Sequence, residues 1–486
     1  MDKTTVIFGN KIAKRVCKKA LKSKAGYIKK FGDDSNKTYY LKNASIDALN
    51  FLECQNLVFG QEAEEIKFED NALIVGNIRM GFGHYRISIA MASAAKALGY
   101  KPYWLDLASF DATGSKMIRH QNDLYSKASK ISQKSFLFNK LIWEPLNSEG
   151  FKKLTYNATD QKNSELLVPI YHSLPKDIPF IATHAWPSQG AVHAGLKHVV
   201  NAIPDNWPMA LHLSEGAIHA VQTPFAYLGY KMLNGFDTKR ELNGISEDEI
   251  KMVGRYIDHE LLVNLEENNN RRRNRRLNDL PLRILLTVGG AGAGYDMFLS
   301  IVKHLAPYVM ENKMMVIINF GDHLNVYNKM LKDKYLKEHL NMTTYFNQYE
   351  ELKEFNKKIN QDDNISGFYG VYNTNIFEAV YSTNLLMSEC DVLITKPSEL
   401  AYYPIPKIFM RHIGGHEVYG AINSCELGDG LFETPDKKQI NNVIDRIYND
   451  KELYCHLVTR IDELHKEGAY NGAYECVKLA VKGLSK

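Results

Sequence analysis

The sequence predicts an α/β protein: two doubly wound, Rossmann-like domains facing a central cleft, with a small N-terminal appendage. Three observations carry this. Short apolar runs of strand length alternate with apolar residues at helical spacing, the pattern of parallel sheets covered on both faces. A strand, a glycine turn and a helix follow one another twice, first at Ala72–Leu98 and again at Leu282–Val309. A polar, charged stretch without apolar period, Glu266–Arg276, separates the two occurrences.

With 486 residues, 45% hydrophobic and 24% charged, the chain is long enough for two cores of ordinary globular composition. No apolar run is long enough to span a bilayer, and the start of the chain lacks the order of a signal peptide. The six cysteines (17, 54, 390, 425, 455 and 476) form no CxxC pair and no metal-ligand spacing. A reduced, cytoplasmic protein is expected. Charge is concentrated: residues 1–40 hold eleven Lys/Arg against three Asp/Glu, and Arg271–Arg276 contains five arginines. Such runs read as solvated surface or linker. Their functional alternative is an anionic membrane surface, met through basic residues 11–30, at about 1 kcal/mol per residue. Nucleic acid is not expected, because the basic runs lack interleaved aromatics.

Taken in order, residues 1–70 form the appendage, with strand-like segments at Val6–Gly9, Tyr39–Leu41 and Asn56–Phe59 and a basic helix from Ala13 to Leu21. The first domain covers 71–265. Ala72–Val75 is a buried strand. Ile87, Met91, Ala94, Ala95 and Leu98 give the following helix, and Pro102–Leu107 the next strand. Lys116–Trp143 reads as mostly helical. Strands follow at Pro179–Thr183, His198–Ile203 and Ala217–Thr223. Residues 266–280 are the linker, and 281–486 the second domain. There Leu282–Val288, Met314–Phe320, Ile365–Tyr369, Asp391–Thr395 and Pro406–Met410 read as strands. Tyr295–Val309, Ile376–Cys390, Ser398–Tyr403 and much of Gln439–Gly483 read as helices.

The glycine turns carry the chemistry. Gly81 and Gly83 allow a tight turn and a close approach of ligand to backbone, and His84 sits at a helix N-terminus with free N–H groups. Gly289, Gly290, Gly292 and Gly294 make the second turn. It is not a Walker loop, because Lys-Ser/Thr is missing. It is a poor dinucleotide fingerprint, because the acidic residue, Asp322, comes too late. Two such turns at opposed sheets suit a phosphorylated ligand lying between the domains.

The arrangement resembles the two-domain glycosyltransferase B fold, and within it the monogalactosyldiacylglycerol synthases and the peptidoglycan enzyme that adds N-acetylglucosamine to a lipid-linked precursor. The matching pieces are Gly81-Phe-Gly-His84, Thr287–Gly294, Cys390–Lys396, Ser398-Glu-Leu-Ala with Ile405–Phe409, and Gly415-His-Glu417 through Gly430. The resemblance implies an inverting, metal-independent glycosyltransferase of the hexosyltransferase type. It would use a UDP-sugar as co-substrate, with no other cofactor, and a hydroxyl acceptor such as a lipid, as a peripheral protein at the inner face of the membrane. Carried over residue by residue, Gly83, Gly289, Gly290, Gly292, Gly294, Lys396 and Ser398 would face the donor. Glu399 would hold the ribose, and His416 and Glu417 the donor sugar. His84 is the expected base, with His184 and Asp205 in reserve. The family's glycine-rich segment between the Thr-Lys strand and the Ser-Glu helix is replaced by Lys396-Pro397-Ser398, and glutamine by His416. Two other functions on the same fold therefore stay open: a sugar-nucleotide epimerase, or a binding protein without catalysis.

Overall fold

A computed structural model describes residues 4–134, 150–237, 239–289 and 294–482. A short hairpin, β1 (Val6–Ile7) and β2 (Asn10–Lys11), precedes the basic helix Lys14–Phe31. Eight strands make the first sheet: β3 (Tyr40–Ala44), β4 (Gln55–Gly60), β5 (Ala72–Asn77), β6 (Lys101–Asp106), β7 (Phe180–Ala182), β8 (Val199–Ala202), β9 (Ile218–Val221) and β10 (Ile250–Met252). Their order is β10-β9-β8-β7-β5-β6-β4-β3, parallel except for the edge strand β3. Strands β5 and β8 are buried along their whole length, which is why they read as unbroken apolar runs.

The second sheet contains β11 (Leu282–Thr287), β12 (Met314–Asn319), β13 (Met342–Phe346), β14 (Gly367–Tyr372), β15 (Val392–Thr395), β16 (Lys407–Phe409) and β17 (Gly430–Glu433). Their order is β13-β14-β12-β11-β15-β16-β17, with every pair parallel. This is the expected glycosyltransferase B-like architecture of two doubly wound domains about one cleft.

In each sheet the winding reverses beside the strand that leads into the glycine turn. After β5 and β6, the chain crosses to the other side of β5 to place β7. After β11 and β12, it crosses to the other side of β11 to place β15. Ligands of such sheets bind at the carboxyl ends of the strands flanking the reversal. Those ends carry Gly81–His84 and His184 in the first domain, and Gly289 and Lys396 in the second.

Two expectations are corrected. Residues 1–70 are no separate appendage, because β3 and β4 form the edge of the first sheet. The expected linker is a helix, Leu265–Leu277, whose buried face beyond Leu265 is made of arginine and asparagine. Arg272 donates to the carbonyls of Cys390 at 2.9 Å and Met387 at 2.8 Å. Arg275 places its fork on Asp391 at 2.6 and 3.0 Å. The planar guanidinium supplies the donors these buried oxygens need, so the helix docks without an apolar stripe. The helix expected over Lys116–Trp143 is present as Thr113–Lys134, and the remainder lies outside the described residues.

The domains share buried surface. The final helix, Gly472–Val481, returns to pack on the helix Gly83–Ala97 of the first domain. One apolar cluster runs from Ile89 and Met91 through Tyr403 and Ile405 to Val477 and Ala480. The six cysteines are free thiols, and no described helix is long and apolar enough to cross a membrane.

Candidate active-site cleft

A cleft of about 760 Å³ lies between the carboxyl ends of the two sheets, a volume in the range of small-molecule sites. Its walls include Gly83, His84, His184 and Asp205 from the first domain. From the second come Gly289, Lys396, Ser398, Glu399, His416 and Glu417. Gly290 and Gly292 lie outside the described residues. Gly294 is the N-cap of the helix Tyr295–Met310 at φ 84°, a left-handed conformation that suits glycine, and it does not line the cleft.

His84 opens the second turn-residue position of the helix Gly83–Ala97, whose N-cap Phe82 supplies no side-chain acceptor. Its Nδ1 lies 2.7 Å from the Thr183 carbonyl oxygen. A carbonyl only accepts, so Nδ1 carries the proton and Nε2 keeps the lone pair. Burial lowers the pKa, and the Thr183 carbonyl and Asp205 offset this only in part. The ring is therefore a neutral imidazole with Nε2 as its basic atom.

His184 has the opposite arrangement. It caps the helix Ala185–His193, its Nδ1 accepting the Trp186 amide N–H at 3.1 Å. Its lone pair is engaged and Nε2–H is left as a donor. Burial, with His84 and His212 nearby, holds its pKa well below the usual value. The ring stands edge-on to His84 with centroids 5.0 Å apart. His184 thus acts as a cap and a wall of the site, and the expectation that it stands in reserve as a base is corrected.

Asp205 follows β8. Its Oδ2 lies 3.1 Å from His212 Nε2, and His212 Nδ1 lies 2.6 Å from the Tyr230 hydroxyl. That hydroxyl accepts the Met209 amide N–H at 3.1 Å. Read in one direction, Tyr230 donates to His212 and His212 to Asp205. Burial raises the Asp205 carboxyl, but the His212 hydrogen bond and the neighbouring His416 outweigh it and hold the group ionised. His212 and Tyr230 had no motif to reveal them; only the fold brings β8 and the helix Pro224–Met232 together.

In the second domain, Lys396 leaves β15 and lays its stem on Gly289. A Cβ added at Gly289 would stand 2.9 Å from Lys396 Cε. The glycine here makes room for a side chain as well as for any ligand. The Lys396 ammonium is paired with Glu417 Oε1. The other oxygen, Oε2, accepts the Ile413 amide N–H at 2.8 Å and that of Gly414 at 3.4 Å. Burial lowers the lysine's pKa and raises the glutamate's, yet their mutual attraction wins in both and keeps both charged. Both oxygens of Glu417, which is expected to meet donor-sugar hydroxyls, already hold partners within the protein, and through one of them it positions Lys396. His416 keeps the cleft contact, with Nδ1 buried and unpartnered among the described residues.

Glu399 starts the short helix Glu399–Tyr402. Its Oε1 accepts from Arg86 Nε at 3.3 Å, across the domain boundary. Arg86 also donates to Asn384 Oδ1 at 2.6 Å and to the Val380 carbonyl at 3.1 Å. A Cβ at Gly83 would stand 3.0 Å from Glu399 Oε2. Gly83 therefore admits the carboxylate of the opposite domain. Ser398 closes the tight turn after Lys396, its amide N–H donating to the Lys396 carbonyl at 2.8 Å. Among the described residues, no three His, Cys, Asp or Glu side chains gather as a metal site would require.

Residues 6–232 match the model of a domain of unknown function, DUF6937, and residues 245–481 that of a second, DUF6938. No curated protein matches the chain. Among solved structures, a UDP-GlcNAc 2-epimerase from Neisseria meningitidis bound to UDP-GlcNAc is similar at TM-score 0.45 and 11% identity, covering 85% of this chain and 99% of that one. An α,α-trehalose-phosphate synthase (UDP-forming) from Burkholderia vietnamiensis is similar at TM-score 0.41 and 11% identity, with 85% and 99% covered. The glycosyltransferase SnogD from Streptomyces nogalater is similar at TM-score 0.36 and 11% identity, again with 85% and 99% covered.

Proposed function

We propose that this protein is a glycosyltransferase that binds a nucleotide-sugar, a UDP-sugar by preference, in the interdomain cleft. It would transfer the hexosyl group to an acceptor hydroxyl with inversion. One observation carries the reading. A neutral histidine with a free Nε2 and a lysine held in place by a glutamate enter one cleft from the reversal points of two opposed sheets.

The chemistry divides between them. His84 Nε2 takes the acceptor's hydroxyl proton as the oxygen attacks the anomeric carbon. The bond from that carbon to the diphosphate oxygen breaks, and UDP leaves with the electron pair. Lys396 and the uncapped start of the helix Gly83–Ala97 face the charge that develops. Attack opposite the leaving group inverts the centre, and Lys396 takes the place a metal ion would hold. Glu399 Oε2 is assigned to a ribose hydroxyl, and His416 to a donor-sugar hydroxyl. Asp205 borders the same space as a second acceptor of protons.

The exposed lysines and arginine of the helix Lys14–Phe31, Lys14, Arg15, Lys18, Lys19 and Lys22, suit an anionic membrane surface, and with it an acceptor carried on a lipid. The reading is tested by calorimetry with UDP and a panel of UDP-sugars. Binding of none of them removes it. Conversion of a UDP-sugar without any acceptor would assign an epimerase instead.

A further inference from the structure

Beyond His84, the first-domain end of the cleft changes character. The rings of His84, His184 and Trp186 follow one another edge to face, with centroids 5.0 and 4.9 Å apart. Phe151 and Tyr156 meet at 4.9 Å and 68° and line the same cleft, as does Tyr27 of the basic helix. Two amide side chains, Gln121 and Asn122, line the same cleft.

We infer that this end of the cleft is a subsite for a sugar ring of the acceptor, so that the transferred hexosyl group is added to a hydroxyl of another glycosyl unit. The inference rests on the transferase reading of the cleft. Three features select a sugar ring over a hydrocarbon chain. Aromatic faces cover the C–H face of a pyranose, whose hydroxyls project around its rim. Phenol and amide groups offer donors and acceptors to that rim. An acyl chain in the same place would strand Gln121, Asn122, Asp205 and the tyrosine hydroxyls against hydrocarbon. His84 opens the row of rings through its contact with His184, so a sugar ring bound beside it would present a hydroxyl to Nε2. A lipid tail on the acceptor, if present, would lie outside this subsite.

The test is titration of the full chain with UDP, then of the UDP-loaded protein with methyl glycosides of glucose, galactose and N-acetylglucosamine, and separately with dioctanoylglycerol. The expected result is saturable binding of at least one methyl glycoside and none of dioctanoylglycerol. Phe151→Leu and Tyr27→Leu should each weaken the glycoside by about fivefold or more, as an aromatic contact at a binding hot spot does. Both variants should retain the wild-type Tm and UDP affinity, which excludes a folding defect. UDP binding with no glycoside binding, dioctanoylglycerol binding in its place, or variants that leave glycoside affinity unchanged would overturn the subsite. Failure of UDP to bind while a glycoside still does would remove the donor reading and leave the subsite standing.

Discussion

Glu417 rests one carboxylate oxygen on the Lys396 ammonium and with the other accepts the Ile413 amide N–H at 2.8 Å. The loop that begins Gly415-His-Glu is thereby tied to the end of β15, and the cation is aimed before any ligand arrives. Lys396-Pro397-Ser398 joins the end of β15 to the short helix Glu399–Tyr402 and brings a charged side chain to the cleft wall. Lys396→Met should weaken UDP binding by about tenfold to a hundredfold, the loss of one charge-assisted contact. Glu417→Gln should weaken it less, because the ammonium remains but is no longer held. Calorimetry on both variants checks the order.

With His84 as the proposed base, the pH dependence of turnover follows from its environment. Its pKa is lowered, chiefly by burial. Protonation removes the lone pair on Nε2, so kcat should fall at acid pH, with a midpoint below the ordinary histidine value of about 6.5, and stay flat above it. His84→Gln should cost about a hundredfold or more in kcat and abolish the acid limb. A limb that survives the substitution would assign the base to another group, with Asp205 first in line.

The fold class is legible in the sequence because β5, β11, β12 and β15 are buried on both faces and end at glycine or at the reversal points. The helix Leu265–Leu277 is not legible, because its docking face is built from guanidinium forks and amides, and apolar periodicity has nothing to detect. The edge strands β3 and β4 are visible as short apolar segments, but their membership of the sheet is a tertiary fact. Within the site, His84, Lys396 and Glu399 stand at motif positions and can be read. Arg86 and His212 act through partners 298 and 18 residues away, and no local signal marks them.

Those guanidinium forks predict stability effects that composition would assign to the wrong residues. Arg275→Ala leaves Asp391 buried and unpaired and should cost about 3–5 kcal/mol in denaturant unfolding. Arg273, on the same helix, pairs with Asp462 near the surface, and Arg273→Ala should cost less than about 1 kcal/mol. Equal effects would contradict the docking role given to the helix.

Asp258 is fully buried at the domain boundary, where its Oδ2 accepts from Asn384 Nδ2 at 2.5 Å. Burial and the nearby Glu260 raise its carboxyl to about 8. In the unfolded chain the same group titrates near 3.9, so the folded state binds more protons between about pH 4 and pH 8, and the stability it contributes is lost as pH rises through that window. Asp258→Asn should remove this loss. The variant's Tm, measured against wild type, should improve steadily from pH 5 to pH 8.

The proposed membrane association is tested on a different surface. Binding to vesicles containing phosphatidylserine should weaken as salt rises and fall further in the variant with Lys14, Lys18 and Lys19 replaced by glutamate. UDP affinity should be the same in both proteins, because these residues do not line the cleft.

The central claim is that a nucleotide diphosphate occupies the cleft against Lys396. The direct measurement is calorimetric titration of UDP into the wild-type chain and into Lys396→Met. The account predicts one-to-one binding by wild type and a loss of about tenfold or more in the variant. No binding of UDP to wild type, or equal affinity in the two proteins, would contradict it.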